Sequence, residues 1–242
     1  MGLFDMFSKK ETPAKVDKLT KRFLNEHQQQ PIRQEALEEL ASYQIPEAIT
    51  GLIKRLGVNF KDTIVNEQEK NWVSSVLVER YGDQATPHLV QCIRQDQTIS
   101  AVIAVLGRLE PEEVFVGHLV DALQSRAPKD HRTIDARLQI VDALSDHDDP
   151  RVVPTLVPYL DDHDDDVRIK VMDVLERQAK AEPAVVEGLV GVLTDPEASG
   201  RLTRRAAAVL AHLDADLTPY TAQLDELVPE GFALSNNRLT AA

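Results

Sequence analysis

The 242-residue chain has a single cysteine, Cys92, so no disulfide can close within it. The apolar neighbours of Cys92 in PHLVQCIRQ read it as a small buried residue rather than a reactive thiol. Aromatics are 5% of the residues and glycines number only 10, which argues against the aromatic strands and glycine-rich turns of a β-sandwich. No stretch approaches the ~20 consecutive apolar residues of a membrane span. The opening MGLFDMFSKK lacks the apolar run of a secretory signal. Its Met6 stands where N-myristoylation calls for Ser or Thr. Leu3, Phe4, Met6 and Phe7 hold too little apolar area to anchor a membrane stably, and residues 1–12 read as a frayed or self-packed segment. Positive charge is scarce: 27 Lys and Arg against 40 Asp and Glu give a net −13, which repels phosphate backbones and anionic lipid. No glycine-rich phosphate loop and no Ser-His-Asp arrangement is legible. These absences together predict a soluble cytoplasmic protein without nucleic-acid binding or stable membrane insertion.

What is present is a repeat. Leucine or isoleucine pairs one helical turn apart recur at Leu52/Leu56, Leu89/Ile93, Leu119/Leu123, Leu156/Leu160 and Leu189/Leu193, stepping by 37, 30, 37 and 33 residues. A polar break and a second apolar-periodic run follow each pair: WVSSVLVERY from Trp72, ISAVIAVLGRL from Ile99, ARLQIVDAL from Ala136, VRIKVMDVLERQ from Val167 and LTRRAAAVLAHL from Leu202. Val167, Val171, Val174 and Leu175 lie on one stripe of an amphipathic helix. The unit is therefore helix, turn, helix, and one such hairpin cannot hide its apolar face alone; stacking on the next does so. The prediction is an all-α, right-handed α-solenoid of about six helix pairs. Residues 13–45 form a degenerate first repeat, 46–213 the regular ones, 214–228 a capping helix (Thr218 to Val228) and 229–242 an extended tail whose Phe232 and Leu234 fold back on the cap. Pro111, Pro150 and Pro183 each open a first helix, with Asp149 as an N-cap. The breaks at Gly57–Asn66 and Gln124–Arg132 read as the longest loops.

The sharpest local feature is DDHDDD, Asp161 to Asp166, between two helices. A calcium loop started at Asp162 has Val167 where Gly is needed and Asp173 where the bidentate Glu is needed. The acids suit a helix corner instead: Asp165 or Asp166 caps the second helix and the others are solvated. A second cluster, SDHDDP at Ser145 to Pro150, lies ~16 Å away along a helix and cannot share an ion with the first.

The segment Asp149 to Arg177 resembles the HEAT repeat, of the bacterial type related to phycobilisome-lyase HEAT-like repeats. The resemblance rests on Asp149, Pro150, Val153, Pro154, Leu156, Leu160, Asp162, Asp164, Val167, Arg168, Val171, Val174 and Leu175. It weakens in the flanking units and is almost absent from residues 1–45. It implies an armadillo/HEAT-type superhelix and protein–protein binding in general. Deoxyhypusine hydroxylase has a similar architecture with iron held on His-Glu pairs. The seven histidines here are followed by Gln28, Leu89, Leu119, Arg132, Asp148, Asp164 and Leu213, so no such pair exists. HEAT-like DNA glycosylases use a basic, aromatic-lined face, which a net −13 and the lone Trp72 oppose.

The leading expectation is a non-enzymatic scaffold without metal or cofactor that binds a protein or peptide on a concave face of second helices. An accessory factor or lyase-like enzyme acting on a modified protein is the alternative, and a DNA-repair fold a weaker one. Arg137, Arg168 and Arg204 form a candidate basic stripe on that face with Asp173 beside it, suited to an acidic or phosphorylated segment. In α-solenoids an Arg after the turn also pairs with the neighbouring repeat's Asp, which gives these residues a stacking role instead. Ile169, Met172 and Glu176 are the other non-core positions of the fifth unit.

Overall fold

Proline and small polar residues start most of the helices in the computed structural model, which describes residues 11–224 and 227–242. The apolar N-terminal residues Leu3 to Phe7 lie outside them. Thr12 accepts from Lys15 N (3.3 Å) just ahead of Pro13 and opens α1 (Pro13–Phe23), followed by α2 (Gln30–Ala41). Pro46 opens α3 (Pro46–Leu56), and Asp62 caps α4 (Thr63–Val76) by accepting from Val65 N at 3.0 Å. Then come α5 (Thr86–Gln95) and α6 (Ser100–Leu109). These belong to a compact unit that ends at Phe115. A second unit starts at Val116. It holds most of α7 (Glu112–Gln124), then α8 (Ile134–Leu144), α9 (Val152–Leu156), α10 (Asp165–Gln178), α11 (Pro183–Thr194) and α12 (Gly200–His212). The single turn α13 (Thr221–Leu224) and the strands β1 (Phe232–Ser235) and β2 (Arg238–Ala241) end the chain.

The recurring leucines are the core. Leu52, Leu89, Leu119, Leu156 and Leu189 are all 0% exposed, and Leu56, Ile93, Leu123, Leu160 and Leu193 are no more than 3% exposed. Burying each contributes roughly 1.5–3 kcal/mol. Second-helix stripes meet them from the other side, with Val167, Val171, Val174 and Leu175 also at 0%. The fold is thus of the all-α solenoid class, with six helix pairs among the described residues. At Gly51 the backbone of α3 comes so close to α1 and α2 that an added Cβ would sit 2.9 Å from both Thr20 Oγ1 and Leu40 Cδ2.

Several expected boundaries are corrected. The loop expected over Gly57–Asn66 is shorter, because α4 starts at Thr63. The buried stripe of its first two turns, Asn66, Glu69 and Lys70, is polar and so invisible to a search for apolar periodicity. The helix expected from Pro150 starts at Val152 and gives way after Leu156 to a 3-10 turn, Val157–Asp161, since Pro158 has no N–H to offer the Pro154 carbonyl. Asp149 is therefore not its N-cap, a position that Arg151 holds without a side-chain cap; Asp149 accepts from Arg151 N (2.9 Å) in the turn ahead of the helix. Among the described residues the expected capping helix is a 3-10 turn, Thr218–Tyr220, plus α13.

The expected extended tail is instead a β-hairpin. β1 and β2 pair antiparallel, with Ser235 opposite Arg238, across a two-residue turn. Asn236 and Asn237 supply its positive φ values of 50° and 60°, the backbone a type I′ turn requires. Leu217 N donates to Asn237 O (2.8 Å), and β2 packs on α12 with Leu239 only 3% exposed. Leu239, not Phe232 or Leu234, is the apolar anchor.

Candidate functional site

In four of the second helices the fourth residue is polar and buried. It is Arg33 in α2, Asn66 in α4, Arg137 in α8 and Arg168 in α10. Arg137 is wholly buried; its Nε and Nη2 donate to Asp162 Oδ2 (2.7 Å) and Oδ1 (2.8 Å). Its remaining donors reach Asp130 O (2.7 Å), Thr133 Oγ1 (2.6 Å) and the Ala127 and Pro128 carbonyls (3.3 Å each). Arg168, 7% exposed, makes the equivalent contact more loosely: both Nη groups share Asp195 Oδ2 at 3.2 Å, and its buried Nε has no partner among the described residues. The expectation that Arg137 and Arg168 offer charge to a binding partner is therefore corrected, because both guanidiniums are spent on stacking repeats. Met172, also expected on the binding face, is 0% exposed and belongs to the core.

In the first unit the same device is a triad. Glu69 accepts from Arg33 Nε (2.9 Å) on one oxygen and from Arg55 Nε (2.8 Å) on the other. The Phe60 ring lies 4.0 Å from the Arg55 guanidinium carbon and 4.9 Å from that of Arg33. Burial pushes the Arg55 pKa below its ordinary value, partly offset by Glu69.

The acidic corner is structural throughout. Asp162 is buried under Arg137, and its Oδ1 also accepts from Asp164 N (3.0 Å). The helix cap is Asp164, which accepts from Asp166 N and Val167 N (3.0 and 3.1 Å), not Asp165 or Asp166 as expected. Asp161 pairs with Lys129, Asp165 accepts from Ser199 Oγ (2.8 Å) and Asp166 pairs with Arg201. None of the five acids is merely solvated. Among the described residues no three His, Cys, Asp or Glu side chains converge as metal ligands.

The outward face of the second helices carries a different set of charges. α10 packs against both α8 and α12. Lys170 on α10 pairs with Asp142 on α8, and Arg205 on α12 donates to Asp173 (2.8 Å) and Glu176 (2.7 Å) on α10. Arg205 holds the Glu176 carboxyl below the usual carboxylate range. Of the residues expected on the binding face, Asp173 is thus half-buried and ion-paired, while Arg204 is exposed and has no partner among the described residues. Ile169 is half-buried.

The first unit also holds a groove of about 400 Å³ between α1, α3 and α5. In it Thr50 Oγ1 lies 3.1 Å from His88 Nδ1, a juxtaposition that a 38-residue separation hid from sequence reading. Thr50 can donate to Pro46 O (3.4 Å), leaving His88 to donate to Thr50, the reverse of what nucleophile activation needs. Cys92 donates to Asp96 Oδ2 (3.0 Å), and burial followed by that carboxylate pushes its thiol far above the ordinary value. No helix of the described residues is long and apolar enough to cross a membrane.

Comparison with known proteins agrees with this geometry. Residues 86–176 and 117–211 match the family of HEAT repeats, together just over half the chain. No curated protein matches the sequence. Among solved structures the chain is similar to human deoxyhypusine hydroxylase in complex with glycerol. That likeness has 18% identity over 88% of this chain and 91% of that one, with a TM-score of 0.37, too slight to carry any argument about activity.

Proposed function

The chain belongs to the HEAT-repeat family, and on that premise we propose that it is a non-enzymatic scaffold binding a protein or peptide along the face made by its second helices. The observation that supports this reading most is the cross-bracing of that face. Asp142–Lys170, Asp166–Arg201 and Asp173/Glu176–Arg205 tie α8, α10 and α12 to one another, so the outward groups are in place before anything binds. A surface set in advance loses little side-chain freedom on association. Its charge runs from acid on α8, at Asp135 and Asp142, to Arg201, Arg204 and Arg205 on α12. A segment crossing it with an acidic or phosphorylated residue over Arg204 and an apolar residue over Ile169 meets complementary chemistry at both points.

The test is affinity capture from the host with the full chain as bait. The wild type and Glu187→Lys, a change on the exposed side of α11, are expected to retain the same protein. Arg204→Glu and Ile169→Asp are expected to lose it while keeping the wild-type circular-dichroism spectrum. Retention that is indifferent to both changes overturns the proposal.

A further inference from the structure

The corner after α9 carries a histidine prepared as a ligand. His163 uses its backbone N (3.3 Å) and ring Nδ1 (3.1 Å) on one acceptor, Pro128 O, in the loop before α8. A carbonyl only accepts, so the proton sits on Nδ1 and the lone pair on Nε2. Asp162 Oδ1 stands 3.6 Å from the same Nδ1 and reinforces that tautomer. Nε2 itself is buried and has no hydrogen-bond partner among the described residues. Against this ring lies a second imidazole, that of exposed His131, with centroids 3.7 Å apart and planes at 66°.

A ligating histidine ordinarily donates its other ring N–H to a carbonyl or carboxylate, which fixes the tautomer and raises the basicity of the free nitrogen. Here both partners are present and the free nitrogen lacks only an electrophile. We propose that His163 Nε2 and His131 form a two-imidazole site for a borderline divalent cation of the zinc type. Two imidazoles on one tetrahedral ion have centroids roughly 5 Å apart. Entry therefore parts the rings by about 1.5 Å, and only exposed His131 needs to move. Of the charged groups on the same two segments, Asp161 is paired with Lys129 and Asp130 with Arg132, so no cation lies on these segments without its own carboxylate. With no third convergent protein donor among the described residues, the remaining positions fall to water or to a donor from a bound protein. The histidines are 32 positions apart, so the spacing within DDHDDD, judged alone for calcium, carried no sign of this pair.

The probe is zinc chloride titrated calorimetrically into the full, untagged chain. One equivalent per chain is expected, and binding by His131→Ala weakened at least about tenfold. Because His131 is exposed, that variant keeps its fold and isolates the ligand role. His163→Asn retains an N–H near Nδ1 for Pro128 O while deleting Nε2, and is expected to weaken binding as much with an unchanged melting curve. In long-range nitrogen–proton NMR spectra of the wild type, zinc is expected to shift the His163 Nε2 resonance away from that of a free lone pair. No stoichiometric binding, or wild-type affinity in His131→Ala, overturns the proposal.

Discussion

Arg137 on α8 and Asp162 in the following corner meet fork to fork, Nε to Oδ2 at 2.7 Å and Nη2 to Oδ1 at 2.8 Å, with both side chains 0% exposed. The two residues are 25 positions apart and belong to successive repeats. Leucine stripes are slippery by themselves, since any apolar row packs on any other. A bidentate pair with one permitted geometry fixes how one repeat sits on the next. The same guanidinium collects the Ala127, Pro128 and Asp130 carbonyls, so the loop before α8 is pinned by the same side chain.

Arg137→Ala is accordingly expected to be among the most damaging single changes in the second unit. It leaves Asp162 as a buried carboxylate without its cation, which costs about 3–5 kcal/mol. Urea unfolding followed by circular dichroism measures this. The double change Arg137→Met with Asp162→Leu removes both charges and should recover most of the loss; a double variant as unstable as the single one contradicts the assignment.

Arg168→Ala tests the same position with weaker geometry. Its two 3.2 Å contacts fall on one oxygen of Asp195, whose side chain is 29% exposed and can rehydrate. The expected loss is about 1–2 kcal/mol, clearly below that of Arg137→Ala in the same urea series.

The buried triad of the first unit predicts a third response. Glu69→Gln keeps the shape but leaves Arg33 and Arg55 facing each other across a neutral amide. A loss of about 3–5 kcal/mol is expected. If urea midpoints for Glu69→Gln and wild type coincide, Glu69 is not the counter-ion of this core.

The repeat was legible because apolar residues one turn apart survive any amount of surface drift; Leu52 through Leu193 all lie where periodicity put them. The pairing of Arg after the turn with the next repeat's Asp was also readable as a stacking device. What stayed hidden was polar packing. Asn66, Glu69 and Lys70 occupy buried positions of α4 that look like loop in sequence, because side chains take the place of water there: Arg55 bonds Asn66 and Glu69, Arg33 bonds Glu69, and Lys70 donates to Asn59. The Thr50–His88 and His131–His163 contacts join residues on different helices or loops, and no local pattern signals them. At the C terminus two consecutive asparagines are the turn signal, weaker than Asn-Gly, and RLTAA carries a single β-branched residue, Thr240, to mark the second strand.

Acid should loosen the tie between α10 and α12. Arg205 depresses the Glu176 carboxyl, so the native state binds its proton more weakly than the unfolded chain does. The resulting stability is present above the ordinary Glu pKa of about 4.3 and disappears as pH falls through the depressed native value. Glu176→Gln should thus be less stable than wild type at pH 7 by under about 1 kcal/mol, the pair being part-exposed. The gap should narrow in urea titrations as pH falls below 4.

Cys92 should resist alkylation in the native protein. Burial and the Asp96 carboxylate both oppose the thiolate, the reactive form. Iodoacetamide at pH 8 is expected to label it slowly, at a rate that rises sharply once urea unfolds the first unit. Rapid native labelling contradicts its place on α5 with the thiol held on Asp96.

The hairpin makes the most local prediction, because a solenoid transmits stability only between neighbours. β2 lies on α12 through Leu239, and the turn depends on two residues in the left-handed region. Asn tolerates that backbone; a β-branched residue does not. Asn236→Val removes no buried contact, since Asn236 is exposed, yet should cost about 1–2 kcal/mol through φ alone. Leu239→Ala should cost about 2–5 kcal/mol through lost burial. In hydrogen exchange both changes should release the amides of residues 232–241 first and those of α12 next, while protection in α8 stays at the wild-type level. Equal loss throughout the second unit would mean that the hairpin is part of one cooperative core, not a cap laid on the end of a stack.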